Sequence, residues 1–279
     1  MFAVSVLLIL TACTSAGCSL LNIPAALKGG YSVQEVSYGD GPSDKLDIYV
    51  PDGGRSAGKE VIVFFHGGRW QSGTKEQYRF VGTALAQRGF VAVIPDFRKY
   101  PDVRFPVFVE DGAKALAWVD DHIEEYGGRH DRIHLTGHSS GAHMAALLTV
   151  DTHYLAAEGK ETRLVITDFA GLAGPYDFTP EASDLTDMFG PPERYPQMQA
   201  TTFIEGNEPP MLLLYGEEDG TVKPYNHERL AARIRDSGGR VEVMTYPSLG
   251  HIGIIGTFSG WGPESSVIDD MTNFFRTNE

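Results

Sequence analysis

A glycine-flanked serine at residues 137–141 constrains this chain more than any other feature. The sequence there reads G-H-S-S-G, with a strand-like segment before it at 132–136 and a helix-like segment after it at 142–148. A G-x-S-x-G at a strand-to-helix turn is typical of a nucleophile elbow, in which glycines relieve clashes around a strained serine. We predict that Ser139 is a nucleophile. We also predict that the N–H of Ser140 lies at a helix N-terminus, where it can donate to an oxyanion.

The pentapeptide alone recurs by chance in a chain with 32 glycines, so the interpretation also requires partner residues. A nucleophilic serine needs a histidine base and an acid. In this arrangement the acid and then the histidine follow the serine along the chain. Two histidines lie far enough downstream. His227 falls inside a predicted helix, where a solvent-facing side chain is the ordinary expectation. His251 lies in a glycine-flanked loop after the last predicted strand, where ligands meet an open α/β sheet, and we predict it as the base.

The acid is expected after the strand predicted at 211–215, in the sequence G-E-E-D-G. We predict Asp219, because it comes at the far end of this turn, while Glu217 and Glu218 could simply face water. Asp177, which follows the preceding predicted strand, is the reserve candidate.

The oxyanion hole needs a further N–H from the loop after an earlier strand. Residues 66–70 read H-G-G-R-W and directly follow an apolar strand at 61–65. Paired glycines allow the backbone to approach a developing O⁻, and each such donor can contribute ~3 kcal/mol in the transition state. We predict that Gly67 and Gly68 line the hole together with Ser140, and that His66 has a structural role within the loop.

The order of elements predicts an α/β fold. Strand-like pieces at 31–38 and 45–50 form a hairpin, and repeated β-then-α units follow. This order predicts a mixed, mainly parallel sheet with helices on both faces, over residues 31–279. Residues 171–210 break the rhythm, so we predict an insertion there. Its aromatic residues either line an acyl or aryl pocket or form a small core of their own: Tyr176, Phe178, Phe189, Tyr195 and Phe203.

These motifs resemble those of a known family. The H-G-G-R-W and G-H-S-S-G pair is similar to the HGGxW and GHSxG pair of the kynurenine formamidase and bacterial feruloyl-esterase-like branch of the α/β-hydrolases, of carboxylesterase and lipase type. The resemblance covers residues 31–277. It implies a triad of Ser139, Asp219 and His251, with Gly67, Gly68 and Ser140 in the oxyanion hole. Arg69 stands where the hormone-sensitive-lipase pattern has a third glycine, which argues against bulky tertiary-alcohol esters.

The N-terminus resembles an export signal. Residues 1–17 carry no charge, and 2–10 form an apolar run shorter than the roughly 20 residues of a membrane span. Small residues precede both Cys13 and Cys18, as at a bacterial lipoprotein processing site, and we expect lipid attachment at one of the two. Ordinary cleavage and release stays open. We therefore predict a signal peptide at 1–18, a tether at 19–30, and an exported protein that is either held at a bacterial envelope by lipid or released to the periplasm or outside.

Composition excludes several classes of function. The net charge of −14 is spread along 279 residues without a basic stripe, so nucleic acid is not an expected partner. No H-E-x-x-H, P-loop or G-x-G-x-x-G after a strand is present, and no metal or cofactor is expected. The sequence predicts a serine carboxylesterase acting through an acyl-enzyme on short-chain or aryl esters. The alternatives are an arylformamidase and a catalytically inactive envelope binding module; the oligomeric state stays open.

Overall fold

The computed structural model describes residues 21–23, 29–53, 58–260 and 267–277. The predicted signal peptide, with Cys13 and Cys18, lies outside these residues, as does most of the predicted tether. Within the described residues eight strands are present: β1 Tyr31–Ser37, β2 Lys45–Pro51, β3 Lys59–Phe65, β4 Val91–Pro95, β5 Gly128–His138, β6 Ile166–Leu172, β7 Met211–Gly216 and β8 Val241–Tyr246.

The described helices alternate with these strands. They are α1 Arg79–Ala86, α2 Val107–His122, α3 Ser140–Val150, α4 His153–Ala157, α5 Thr162–Val165, α6 Ser183–Phe189, α7 Tyr195–Met198, α8 Tyr225–Asp236, α9 His251–Gly256 and α10 Val267–Thr277. Short 3₁₀ helices occupy Ile123–Tyr126, Pro192–Arg194, Ala200–Phe203 and Thr257–Ser259.

The eight strands form one sheet in the order β1-β2-β4-β3-β5-β6-β7-β8. β2 pairs antiparallel with β1 and with β4, and the remaining neighbours are parallel. The predicted mixed, mainly parallel sheet is therefore confirmed. The parallel strands all end at one edge, and β3, β5 and β7 bring the predicted site segments to that edge.

Alternating side chains of the buried strands supply two cores, one on each face of the sheet. On β3, Val61, Val63 and Phe65 belong to one core, and Ile62 and Phe64 to the other. The first core includes α2, α3 and α8, and the second includes α1 and α10. Every residue of α3 is buried, because other helices and the insertion cover its outer side.

Two segments differ from what the sequence predicts. The apolar pattern predicts a strand over 163–169, but residues Thr162–Val165 form the short helix α5 and β6 begins at Ile166. The apolar residues of this segment fit either structure, and their alternation alone does not separate a helical turn from a strand start. The second difference concerns His251, which is the first residue of α9 rather than a loop residue. Ile254 and Ile255 of α9 are buried, and their packing holds this short helix.

Candidate active site

Ser139 occupies a strained turn between β5 and α3. Its backbone has φ 55° and ψ −122°, a conformation that a serine adopts only when its surroundings enforce it. A Cβ added to Gly141 would lie 2.0 Å from the carbonyl oxygen of Phe65, and one added to Gly137 would lie 2.5 Å from the carbonyl carbon of Gly141. Both flanking positions therefore require glycine for steric reasons, as the nucleophile-elbow interpretation predicts.

The structure brings Ser139, His251 and Asp219 into one hydrogen-bonded chain. His251 Nε2 lies 2.9 Å from Ser139 Oγ, and His251 Nδ1 lies 2.8 Å from Asp219 Oδ2. With Asp219 ionised, Nδ1 carries the proton and donates a hydrogen bond to the carboxylate, which leaves the lone pair of Nε2 free to accept the Ser139 proton. The arrangement can activate the hydroxyl as a nucleophile.

The carboxylate of Asp219 is held by the turn that follows β7. Its Oδ1 accepts hydrogen bonds from the main-chain N–H groups of Thr221 at 2.7 Å and Val222 at 2.8 Å. Burial disfavours the ionised form, but the hydrogen bonds from His251 and from these two N–H groups outweigh it and hold the pKa of Asp219 below its ordinary value. The carboxylate next to His251, the candidate base, is thus charged at neutral pH.

The predicted oxyanion loop lies against the elbow. A Cβ added to Gly67 would lie 3.1 Å from the carbonyl oxygen of His138, the residue before Ser139. The carbonyl of Gly68 accepts hydrogen bonds from the N–H groups of Gln71 and Ser72, so the loop closes on itself. Ser140 begins α3, and N–H groups in a first helical turn have no carbonyl partner within the helix. The main-chain N–H groups of Gly67, Gly68 and Ser140 are the candidates for stabilising an oxyanion next to Ser139.

Helix α6 of the insertion is tied to this loop. Arg69 Nη2 donates to Asp184 Oδ1 at 2.8 Å, and Gln71 Nε2 donates to Asp184 Oδ2 at 2.6 Å. Arg69 and Trp70 both have positive φ, at 57° and 59°, so the loop holds two non-glycine residues in the left-handed region. This contact could not be predicted from the sequence, because no local pattern connects an acidic residue in an irregular segment to an arginine 115 positions earlier.

The aromatic residues of the insertion pack with the oxyanion loop and with the main core. The ring of Trp70 is buried, stacks on Phe178 at 5.7 Å between centroids, and meets Phe189 edge-on at 4.9 Å. Tyr176 is buried in the same core, and Tyr195 and Phe203 pack against it. These aromatic residues therefore belong to the large core on this face of the sheet, together with Trp70, and do not form a small core of their own.

The other candidate groups have other roles. Asp177 pairs with Arg229 at 3.3 Å, and Glu217 and Glu218 are exposed. The prediction that His227 faces solvent is wrong: the side chain is buried, with its ring 4.3 Å from that of Tyr215, because this face of α8 packs on the sheet. His66 lies in the loop as expected, with Nδ1 2.9 Å from the carbonyl oxygen of Gly67.

Among the residues that the structure describes, no group of three or more histidine, cysteine, aspartate or glutamate side chains is placed to hold a metal ion. None of the helices in the same residues combines the length and the apolar character needed to cross a membrane.

Comparison with known proteins relates most of the chain to esterases. The BD-FAE family model matches residues 46–234, more than half of the chain. A probable isoprenylcysteine alpha-carbonyl methylesterase of Arabidopsis thaliana is 27% identical over 84% of this chain and 56% of its own length. Esterase LipC of Mycobacterium tuberculosis is 28% identical over 78% of this chain and 59% of its own length. The matches thus span little more than half the length of these two relatives.

Solved structures share the same fold. Esterase B from Lactobacillus rhamnosis superposes with a TM-score of 0.80 at 20% identity, covering 95% of this chain and 93% of that chain. A truncated carbohydrate esterase from gut microbiota superposes with a TM-score of 0.78 at 21% identity, covering 89% of this chain and 97% of that chain. At these identities the likeness concerns the fold, and the predicted α/β-hydrolase arrangement is confirmed.

Proposed function

The chain belongs to the BD-FAE family, of the α/β-hydrolase carboxylesterase type, and from this we propose that it is a serine carboxylesterase acting on short-chain or aryl esters. The observation that carries the proposal is the chain of hydrogen bonds from Asp219 through His251 to the strained Ser139, with distances of 2.8 Å and 2.9 Å. The names of the relatives support ester hydrolysis as the reaction class. We extend the proposal to an exported protein with lipid attached at Cys13 or Cys18.

The proposed reaction has two halves. In the first, Ser139 Oγ attacks the ester carbonyl carbon while His251 Nε2 takes the hydroxyl proton, and the carbonyl oxygen becomes an oxyanion that accepts hydrogen bonds from N–H groups of Gly67, Gly68 and Ser140. The C–O bond to the leaving group then breaks, and His251 returns the proton to the departing alkoxide. In the second half, water attacks the acyl-serine with the same base and the carboxylic acid is released.

The packing around the oxyanion loop supports a small acyl group. The Trp70 ring follows the two oxyanion glycines closely in sequence, is buried, and contacts Phe178 and Phe189. Side chains therefore fill the space on this side of the loop, and a long acyl chain would have to displace them. A short acyl chain or a flat aryl group avoids that displacement.

The test is turnover of p-nitrophenyl acetate, butyrate and octanoate by the wild-type protein and by Ser139→Ala. Removing the nucleophile should lower kcat by about 10⁶-fold. Ser140→Ala is the matched control, because it deletes a neighbouring buried hydroxyl, for which the described residues offer no hydrogen-bond partner, and keeps the main-chain N–H. Its kcat should stay within about 5-fold of the wild-type value, since the oxyanion donor is retained.

The same measurement separates the alternatives. N-formylkynurenine is included because the triad geometry could equally cleave a formamide, and faster turnover of that amide than of any ester would favour the arylformamidase. A folded wild-type protein that turns over none of these compounds would instead favour the inactive binding module.

A further inference from the structure

His138 precedes the proposed nucleophile and contacts the proposed base. It stands at the position that G-x-S-x-G leaves open to any residue, yet its side chain is 1% exposed. Its Nε2 lies 2.8 Å from the main-chain carbonyl oxygen of His251, and the two imidazole rings have centroids 4.9 Å apart. The hydrogen bond joins two positions 113 residues apart in sequence.

The protonation of His138 follows from its partner. A carbonyl oxygen only accepts hydrogen bonds, so Nε2 of His138 carries the proton and Nδ1 keeps its lone pair. Burial, with a smaller contribution from the charge on nearby His251, lowers the pKa of His138 to about 3. The ring is thus neutral at neutral pH, in one tautomer. A neutral ring adds no second positive charge next to the imidazolium that forms on His251 during catalysis.

The other edge of the same ring faces the oxyanion loop. A Cβ added to Gly67 would lie 2.9 Å from His138 Nδ1, which places the loop backbone against the imidazole. One buried ring therefore separates the oxyanion loop from α9, and its own backbone leads directly into Ser139.

We propose that His138 is a positioning residue that fixes the main chain of His251, and through it the 2.9 Å distance from His251 Nε2 to Ser139 Oγ. It touches no reacting atom and acts only through the base. The inference rests on the proposed serine-esterase function. It assigns a role to the histidine that directly precedes the proposed nucleophile.

Three substitutions separate the hydrogen bond from the bulk of the ring. His138→Gln keeps an N–H donor at about the reach of Nε2, whereas His138→Asn places its amide nitrogen near the position of Nδ1, too short to reach the carbonyl of His251. His138→Met fills the volume without a donor. The glutamine variant should therefore keep the hydrogen bond to the His251 carbonyl that the asparagine and methionine variants lose.

The expected effect is on turnover more than on substrate binding. Displacing a catalytic group by about 1 Å can lower the rate by about 10²-fold, so kcat for p-nitrophenyl acetate should fall by about that factor in His138→Met and His138→Asn. KM should change by less than about 3-fold, since a ground-state substrate does not depend on the base. His138→Gln should retain kcat within about 5-fold of the wild-type value.

His143 supplies the matched control. It too is fully buried, and burial lowers its pKa to about 4. Its Nε2 likewise donates to a main-chain carbonyl, that of Met198 in the insertion, at 2.7 Å. His143→Met should lower the melting temperature as His138→Met does, but leave kcat within about 5-fold, because its partner is not the base. Comparing His143→Met with His138→Met separates a loss of kcat caused by general destabilisation from one caused by losing the hydrogen bond to His251.

Each outcome decides the proposal. Loss of kcat in the methionine and asparagine variants, recovery with glutamine and near-normal kcat in His143→Met support it. It is overturned if folded His138→Met keeps its kcat, or if all three His138 variants lose kcat only in proportion to melting temperature. Wild type and Ser139→Ala are measured in the same series. A wild type that is inert, or indistinguishable from Ser139→Ala, shows that the proposed function has failed and overturns the role of His138 with it.

Discussion

At the scale of single residues, the two oxygens of Asp219 have different partners, and this makes the effect of an amide predictable. Oδ1 accepts hydrogen bonds from two main-chain N–H groups, and Oδ2 accepts one from His251 Nδ1. In Asp219→Asn the amide oxygen must stay with the N–H donors, so the NH₂ group faces Nδ1 and forces the His251 proton onto Nε2. That tautomer cannot accept the Ser139 proton, and kcat should fall by about 10⁴-fold at neutral pH. Steady-state hydrolysis of p-nitrophenyl acetate measures it.

Asp177→Asn is the control for this prediction. Asp177 was the reserve acid in the sequence analysis, but it pairs with Arg229 and its Oδ2 accepts the Thr201 hydroxyl at 3.3 Å. Its amide variant should keep kcat within about 3-fold, as is usual for a partly exposed pair. If instead this variant loses activity and Asp219→Asn does not, the assignment of the acid is wrong.

The residues of the site differ in how far the sequence could predict them. Ser139, Asp219 and His251 follow from glycine spacing and chain order, because the elbow and the strand ends restrict where such groups can stand. The contacts of His138 and Asp184 could not be predicted, since each depends on two segments more than a hundred residues apart meeting in the fold. The burial of His227 was missed for a similar reason, because a helix face is buried by its neighbours and not by its own residues.

At the scale of elements, the tie between α6 and the oxyanion loop should tune activity. In Asp184→Ala both Arg69 and Gln71 lose their acceptor, and the loop that holds Arg69 and Trp70 at positive φ is released on one side. We expect kcat/KM for p-nitrophenyl acetate to fall by about 3- to 10-fold, the range expected for one partly exposed ion pair and one hydrogen bond.

Asp187→Ala is the control on the same helix. Asp187 binds Tyr100 and Arg104 instead of the residues next to the oxyanion glycines, so its loss should change kcat/KM by less than about 2-fold. Salt gives a second comparison. Because Arg69 and Asp184 are partly exposed, about 1 M salt should bring the wild type towards the Asp184→Ala value and leave that variant unchanged. Equal effects of the two alanine variants would contradict the special role of Asp184.

The elements themselves were mostly predictable. Buried parallel strands such as β3 stand out as apolar runs, and glycines mark the ends of α1 and α8. Prediction was less accurate where two structures satisfy the same apolar pattern, as at the α5 to β6 junction. It was also less accurate for α9, whose six residues are too few to show a helical period and are held by tertiary contacts.

A largely buried ionic cluster should make the stability of the folded protein depend on pH. His134 Nδ1 lies 2.8 Å from Asp168 Oδ1, and both side chains are fully buried; Nε2 lies 3.7 Å from Glu60. Burial opposes the charge on His134, but the two carboxylates outweigh it and raise its pKa above the ordinary 6.5. The pKa of Glu60 is lowered from its ordinary 4.5 to about 2, against burial, by His134 and by Arg132, whose Nη2 donates to Glu60 Oε1 at 2.9 Å.

The pKa shifts of His134 and Glu60 determine how the stability of the folded protein changes with pH. The contribution of His134 is complete below pH 6.5 and is lost as pH rises through its raised pKa in the folded protein. The contribution of Glu60 to the free energy of unfolding is complete above its ordinary pKa of 4.5 and is lost as pH falls towards 2. Stability from this cluster should therefore be highest between these two ordinary values. Above 6.5, the melting temperature should fall by a few degrees, since about 1 kcal/mol shifts it by about 2–4 °C in a protein of this size.

His134→Gln checks this expectation, because glutamine can occupy the site and does not titrate. Melting curves of the wild type and the variant are compared from pH 5 to 9. The wild type should lose melting temperature across the upper part of that range, and the variant should be less stable at pH 5 with a flatter profile. An unchanged slope in the variant would assign the pH dependence to other groups.

The order in which the site residues leave the ribosome follows from their positions in the chain. Gly67, Gly68 and Ser139 are made first, Asp219 is made 80 residues after Ser139, and His251 is the last of the proposed site residues to be made. Until β8 and α9 have been synthesised and have docked, the serine has no base and its hydroxyl is no better a nucleophile than any other alcohol. Under the proposed mechanism, a chain that stops before α9 therefore cannot cleave esters, and activity appears only late in synthesis.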